Sequence, residues 1–177
     1  MLGSFNKNKN FEKCKKLAES GNAEAQYELG FMYHEGKGTE ENMKEFAKWI
    51  RRSAENGYVH AQLLLGSMHV TGRIVKKDTE KGIEWIKLAA EQGDISAQST
   101  LGYAYYDGEF IEKDAAEGVR WYRMAAEQGF PDSQFRLGMA YFEGKGVQRD
   151  SAEAKKWIEK AAKQKHEGAK EHLKKYG

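Results

Sequence analysis

The residues best suited to hold a metal or move a proton are five histidines, His34, His60, His69, His166 and His172. A zinc site gathers three or four N, S or carboxylate ligands, and on a helix those ligands lie three or four residues apart. No histidine here has such a neighbour with a carboxylate to complete it, so no metal is expected. Cys14 is the one cysteine, which excludes an internal disulfide. Gly36-Lys37-Gly38 and Gly144-Lys145-Gly146 have the composition of a phosphate loop. Neither is preceded by a strand pattern or followed by G-K-[ST], so both read as helix ends. Serine and aspartate occur without a histidine at the spacing of a nucleophilic triad. The neighbouring carboxylates Asp107 and Glu109 fall on an exposed loop, where neither would be tuned for acid or base work. The chain is therefore expected to have no catalytic residues and no cofactor, and not to be an enzyme.

The elements that would position any functional side chain are set by a ruler. Trp49, Trp85, Trp121 and Trp157 are all the tryptophans of the 177-residue chain, and each follows the last by 36 residues. Leu29-Gly30, Leu65-Gly66, Leu101-Gly102 and Leu137-Gly138 keep that period, as do Gln26, Gln62, Gln98 and Gln134. So do Gly36, Gly72, Gly108 and Gly144, and the small pairs Ser53-Ala54, Ala89-Ala90, Ala125-Ala126 and Ala161-Ala162. One structural unit is copied along the chain, and the fold is a stacked array.

Within a unit, Ala25, Leu29 and Tyr33 fall four apart, and Trp49, Ile50, Ser53 and Ala54 recur as one helical face. Two helices follow: A, over about residues 23–34, and B, over about 43–56. Asn6, Asn42, Asp78, Asp114 and Asp150 stand where helix B needs an N-cap, and Glu45, Glu117 and Glu153 sit where they would complete a capping box. Gly21, Gly57, Gly93 and Gly129 stop helix B in the left-handed conformation, and Lys165 in the fifth slot predicts a less clean end. Extending the register outward gives a lone first B helix over 6–20 with Phe11, Cys14, Leu17 and Ala18 inward. A last partial A helix carries Ala169 and Leu173, for a count of ten helices. Cys14 shares its slot with Ile50, Ile86, Tyr122 and Ile158, so it reads as core filler. Tyr33, Tyr105 and Tyr141 recur with the repeat and read as core too.

The formal charge of +2, with acids and bases well mixed, lacks the basic excess that phosphate binding favours, so nucleic acid is not an expected partner. Lysines crowd both ends, from Lys7 to Lys16 and from Lys155 to Lys175, and read as solvated faces. No apolar run approaches the length of a membrane helix, and the first ten residues lack the apolar core of a secretory leader. A cytoplasmic protein is expected; a periplasmic or secreted one is the alternative if a leader has been removed.

The unit A-x-x-x-L-G-x-x-Y-x-x-G-x-G-V-x-x-D-x-x-x-A-x-x-W resembles the Sel-one-like repeat (SLR) family, a relative of tetratricopeptide repeats. The nearest copy runs Leu137-Gly138, Tyr141, Gly144-Lys145-Gly146-Val147, Asp150, Ala154, Trp157 and Ala161-Ala162. Phe46 at a small-residue slot, His69 for tyrosine, and Ile74 and Phe110 for the second loop glycine depart from it. The resemblance implies an all-α, right-handed α-α superhelix of about four helix-turn-helix repeats with partial caps. As one domain over 1–177 it has a half repeat at 6–21, full repeats at 22–57, 58–93, 94–129 and 130–165, and a partial helix at 166–177.

The resemblance also implies a non-enzymatic adaptor or scaffold that binds another protein or peptide. Two alternatives come with it: an immunity protein that neutralises a toxin, and a weak β-lactam hydrolase of the kind claimed for cysteine-rich relatives, whose paired cysteines are missing here. If the groove positions of tetratricopeptide repeats apply, the concave wall carries Glu24, Tyr27, Phe31 and His34; His60, Leu63, Ser67 and Val70; Ser96, Ser99, Tyr103 and Tyr106; and Asp132, Phe135, Met139 and Phe142. Seven of these sixteen are Tyr, Phe or Met, the composition of an interface core. The acidic Glu24 and Asp132 at one rim suit a peptide with apolar anchors and a basic residue. The oligomeric state is left open.

Overall fold

The computed structural model describes residues 2–176, with side chains from residue 9 onward. The expected cap at Asn6 and the terminal Lys7 lie outside the described side chains. Among the described residues there are ten α-helices: α1 (Leu2–Glu19), α2 (Ala23–Glu35), α3 (Met43–Glu55), α4 (Val59–Thr71), α5 (Thr79–Glu91), α6 (Ile95–Tyr103), α7 (Ala115–Glu127), α8 (Pro131–Glu143), α9 (Ser151–Lys163) and α10 (Glu167–Tyr176). A single π-helical turn, Ala104–Gly108, prolongs α6. The helices fall into two compact units, Met1–Gln92 with α1 to α5 and Gly93–Gly177 with α6 to α10.

Four B helices, α3, α5, α7 and α9, start at the expected cap, whereas α1 begins at Leu2, so Asn6 falls inside that helix and does not cap it. Asn42 Oδ1 accepts from the amides of Lys44 and Glu45 at 3.1 Å, Asp114 from Ala116 and Glu117 at 3.0 Å, and Asp150 from Ala152 and Glu153. The return half of the capping box is absent. The cap residue's own N–H is already taken, because Asn42 donates to the Tyr33 carbonyl, Asp78 to His69, Asp114 to Tyr105 and Asp150 to Tyr141. That bond ties the start of helix B to the helix before it and frees the glutamate. Glu45 and Glu153 use their carboxylates to accept the indole N–H of Trp49 at 3.1 Å and Trp157 at 3.0 Å.

The ends follow the register more closely than the glycine pattern alone predicts. Gly57, Gly93 and Gly129 have φ of +85°, +93° and +95°, and Lys165 adopts +66° in the same slot, so α9 stops in step with the others. Ile74 likewise takes φ +74° where Gly38 and Gly146 have +77° and +72°. A β-branched side chain is an outlier there.

In the first unit Phe11, Ala18, Ala25, Leu29 and Trp49 form one core, and Phe46, Ile50, Ala54, Ala61, Leu65 and Met68 another, with the half-buried Trp85 against it. In the second, Tyr122, Leu137, Ala140, Tyr141 and Trp157 pack together, and Ile158, Ala161 and Ala169 lie beyond them. Tyr141 is buried, whereas Tyr33 and Tyr105 are half-buried. Leu17, expected inward, is 48% exposed. Its counterpart Ser53 is covered by the preceding helix and donates to the Ala23 carbonyl at 2.6 Å, whereas among the described residues no helix precedes α1 to cover Leu17. Cys14 is half-buried, with its thiol donating to the Ala25 carbonyl at 3.4 Å. Burial first, then Glu28, raises its pKa, which suppresses the thiolate.

The recurring glutamines are the polar core of the array. Gln62 is buried, donates to the Ala54 carbonyl and accepts from Gln92 Nε2 at 2.7 Å. Gln26 does the same with Ala18 and Asn56, and Gln134 with Ala126 and Gln164. One side chain thus joins an A helix to the B helix before it and to the end of the B helix after it. The repeat leucine-glycine step sets the approach of the two helices in a hairpin: a Cβ on Gly66 would stand 2.8 Å from the Gly82 carbonyl oxygen.

Candidate binding face

In the first unit, Tyr27, Phe31 and His34 lie on one face of α2, spaced four and three apart. Tyr27 stacks at 4.8 Å from Phe31, 5.2 Å from Tyr58 and 6.5 Å from His60. Phe31 meets Phe46 edge-on at 5.4 Å, and His34 meets Phe46 at 5.0 Å. The structure therefore gathers four of the expected wall residues, Tyr27, Phe31, His34 and His60, around Phe46 and Tyr58. Phe31, His34 and Phe46 join Leu64, Met68 and Ile74 in lining an open cleft of about 320 Å³. Leu63 is half-buried on α4 beside that cleft's Leu64, and Val70 is buried, its methyl facing Gly82. Glu24 is exposed on the first turn of α2. Burial first, then Glu24 and Glu28, raises the Tyr58 pKa, and burial first, then Tyr58, raises that of Tyr27, so both phenols keep their protons.

In the second unit, Tyr103 is 39% exposed, with the Arg136 guanidinium 4.6 Å from its ring centre. It lines a cleft of about 400 Å³ with Ser96, Ser99, Thr100, Phe110, Phe130 and Asp132. Asp132 pairs with Arg136 at 3.3 Å and with His166 at 3.5 Å, so its charge is already answered. Tyr106 does not stand on an open wall. It is buried against Tyr122 at 5.7 Å and over Gly118, as Val70 in the same slot is buried over Gly82, and the Lys145 ammonium sits 3.7 Å from its ring centre. Phe135, Met139 and Phe142 are half-buried under α10. Phe135 stacks on His166 at 4.8 Å, Phe142 lies 4.9 Å from His172 and 5.6 Å from Tyr176, and Met139 packs with Leu173 against the Ile158 cluster. The last helix occupies the place a further repeat would take.

In the first unit the expected residues stand open on α2 and on α4 as far as Ser67 but close at Val70; in the second they stand open at the Tyr103 cleft, close at Tyr106 and are largely covered on α8. Phe46, Tyr58, Leu64, Met68 and Ile74 are the contributors that periodic offsets missed. Phe46 and Ile74 left a signal: Phe46 breaks a slot otherwise held by Gly82, Gly118 and Ala154, and Ile74, like Phe110, replaces the glycine held at Gly38 and Gly146. Among the described residues, no group of three or more His, Cys, Asp or Glu is gathered to hold a metal ion, and no helix is long and apolar enough to cross a membrane.

Paired helices recurring on one register, with side chains left over on one face, define an all-α helical-repeat protein. The Sel1 repeat matches residues 23–58, 59–94, 95–130 and 131–166, and the chain belongs to the Sel1 repeat family. The Sel1 repeat protein of Oxalobacter formigenes is 33% identical, with a TM-score of 0.87 over 97% of this chain and 49% of that one. A protective antigen of uropathogenic Escherichia coli strains, displaying an SLR fold, is 44% identical with a TM-score of 0.80 over 87% of this chain and 33% of the other. The secretory immunoglobulin A-binding protein EsiB of Escherichia coli O6:H1 is 44% identical over 46 residues, which are 26% of this chain and 9% of that protein. The chain spans no more than about half the length of these relatives. Sel1 repeat proteins generally mediate protein–protein interaction, and the family is typically a non-enzymatic scaffold.

Proposed function

We propose that this chain is a non-catalytic binding module that takes a segment of another protein on the aromatic face of α2 and α4. The supporting observation is the cluster of Tyr27, Phe31, His34 and Phe46 beside an open cleft of about 320 Å³ floored by Leu64 and Met68. Rigid aromatic rings on packed helices lose little freedom when a partner covers them, and interface hot spots favour such residues. Methionine adds a surface that adapts to apolar anchors of different shape. The exposed Glu24 favours a basic residue at the far end of the bound segment. A relative named for binding an immunoglobulin is in keeping with a protein partner.

The test is capture from a lysate of the source cells, with identification by mass spectrometry, using the wild-type chain and a Phe31→Ala/Leu64→Ala variant. A protein retained by the wild type and lost by the variant, with equal helicity by circular dichroism, is the expected result. Equal retention by both would remove this face from the reading.

A further inference from the structure

A second surface of the first unit is unlike its counterparts in the other repeats. On the outward side of α3, Lys44, Lys48, Arg51 and Arg52 stand with Lys76 of the following loop around an open depression of about 510 Å³. Glu55 is its one acidic lining residue. Lys48 is answered by Glu45 at 2.9 Å, and Arg52 lies over the Trp49 ring at 4.8 Å. Among the described residues, no carboxylate pairs with Lys44, Arg51 or Lys76.

The repeat supplies its own control. One period on, the five basic positions are Glu80, Glu84, Lys87, Leu88 and Glu112, and two periods on they are Ala116, Arg120, Arg123, Met124 and Gln148. Stacking therefore does not require cations there, and the concentration belongs to one repeat of a chain whose net charge is only +2. Five like charges on one face repel one another, and a partner of opposite charge relieves that repulsion while steering its own approach.

The floor narrows the chemistry. Ala47, Val75 and Ile74 supply it, and Ile74 is 47% exposed and held at φ +74°. A polyphosphate backbone makes no use of an aliphatic floor, and the aromatic face that could stack a base, Trp49, is buried beneath Lys48 and Arg52. An acidic protein segment with interspersed aliphatic residues satisfies both the cations and the floor. We propose that the outward face of α3, with Ile74 to Lys76, docks an acidic, aliphatic-containing segment of a partner protein. This surface is distinct from the aromatic cleft and the inference does not rest on it, although Ile74 borders both.

Fluorescence anisotropy with a labelled peptide of Glu-Glu-Leu triplets tests this on the full chain, beside a Lys-Lys-Leu peptide and an oligothymidylate of matched charge. Saturable binding of the acidic peptide is expected, weakening with salt. Arg51→Glu with Lys76→Glu should reduce affinity about tenfold or more. The milder Arg51→Gln with Lys76→Gln should reduce it by less, and Lys87→Glu, at the matching slot of α5, should leave it unchanged. Thermal melts of the variants that match wild type keep the comparison on binding, and the glutamine pair serves if the reversal disturbs folding. Unchanged affinity in the folded glutamine and glutamate variants would overturn the proposal. So would oligothymidylate binding as tightly as the peptide, since the patch would then read charge alone. Phe31→Ala/Leu64→Ala should leave the peptide affinity intact, which separates failure here from failure of the aromatic face.

Discussion

The tryptophans share one slot but not one environment. Trp157 donates its indole N–H to Glu153 at 3.0 Å, whereas the Trp121 N–H is buried without a partner. Glu117, in the slot from which Glu45 and Glu153 accept an indole N–H, is bound to Arg120 through two bonds of 2.6 and 2.9 Å. A buried unpaired donor costs about 1–3 kcal/mol. Trp121→Phe should therefore be milder than Trp157→Phe by about 1 kcal/mol in urea denaturation, while Trp121→Ala should cost about 3–5 kcal/mol through lost packing. Equal costs for the two phenylalanine variants would contradict the pairing described here. Tyr106 carries a pH signature. Burial first, then Glu143 and Asp107, pushes its pKa up to about 12 from 10.0. The phenol is kept neutral in the folded chain but ionises near 10 when unfolded, so its contribution is complete below about pH 10 and is lost as pH rises toward about 12. Tyr106→Phe should flatten part of the fall in melting temperature over that window. Tyr122, raised in the same direction by burial, accounts for a remainder.

At the scale of the helix, stop signals and cross-links carry the testable content. Lys165 holds φ +66° on an exposed side chain, a conformation that costs a non-glycine residue about 1 kcal/mol or more. Lys165→Gly should raise stability by about 1 kcal/mol, and a lower melting temperature would show that the side chain contributes contacts that outweigh the strain. The period makes the helices, the caps of α3, α5, α7 and α9 and the left-handed stops legible in the sequence, because each recurs from copy to copy, whereas Asn6 falls inside α1. The A-helix caps were not readable that way. Asn22 and Asp94 accept from Ala25 and Ala97 at 2.8 Å, but Tyr58 and Phe130 hold the same slot without a side-chain bond, so no period marks them. The glutamines showed their period but not their role, since their partners lie 8 residues before and 30 residues after them. The candidate wall was readable over α2 and on Tyr103. Its offsets do not distinguish Val70 and Tyr106, which are buried over Gly82 and Gly118, or the residues of α8, where α10 and His166 lie across Phe135 and Phe142.

For the molecule as a whole, one family repeat supplies the scaffold and the departures from it supply the character. Phe46 and Ile74 break the small-residue pattern at the rim of one cleft, and the cations of α3 break the mixed charge of the remaining repeats. Stacking does not require Ile74 or the α3 cations, which are exposed and point to a partner, whereas Phe46 is buried and serves the core and the cleft at once. The proposed binding role is tested most directly by a photoreactive benzoylphenylalanine placed at Ser67, on the rim of the aromatic cleft, and in a second chain at the exposed Glu84 on α5, with irradiation in source lysate. The account predicts a discrete cross-linked protein from position 67 that Phe31→Ala weakens, and none from position 84. Cross-links from position 84 with none from position 67 would contradict it.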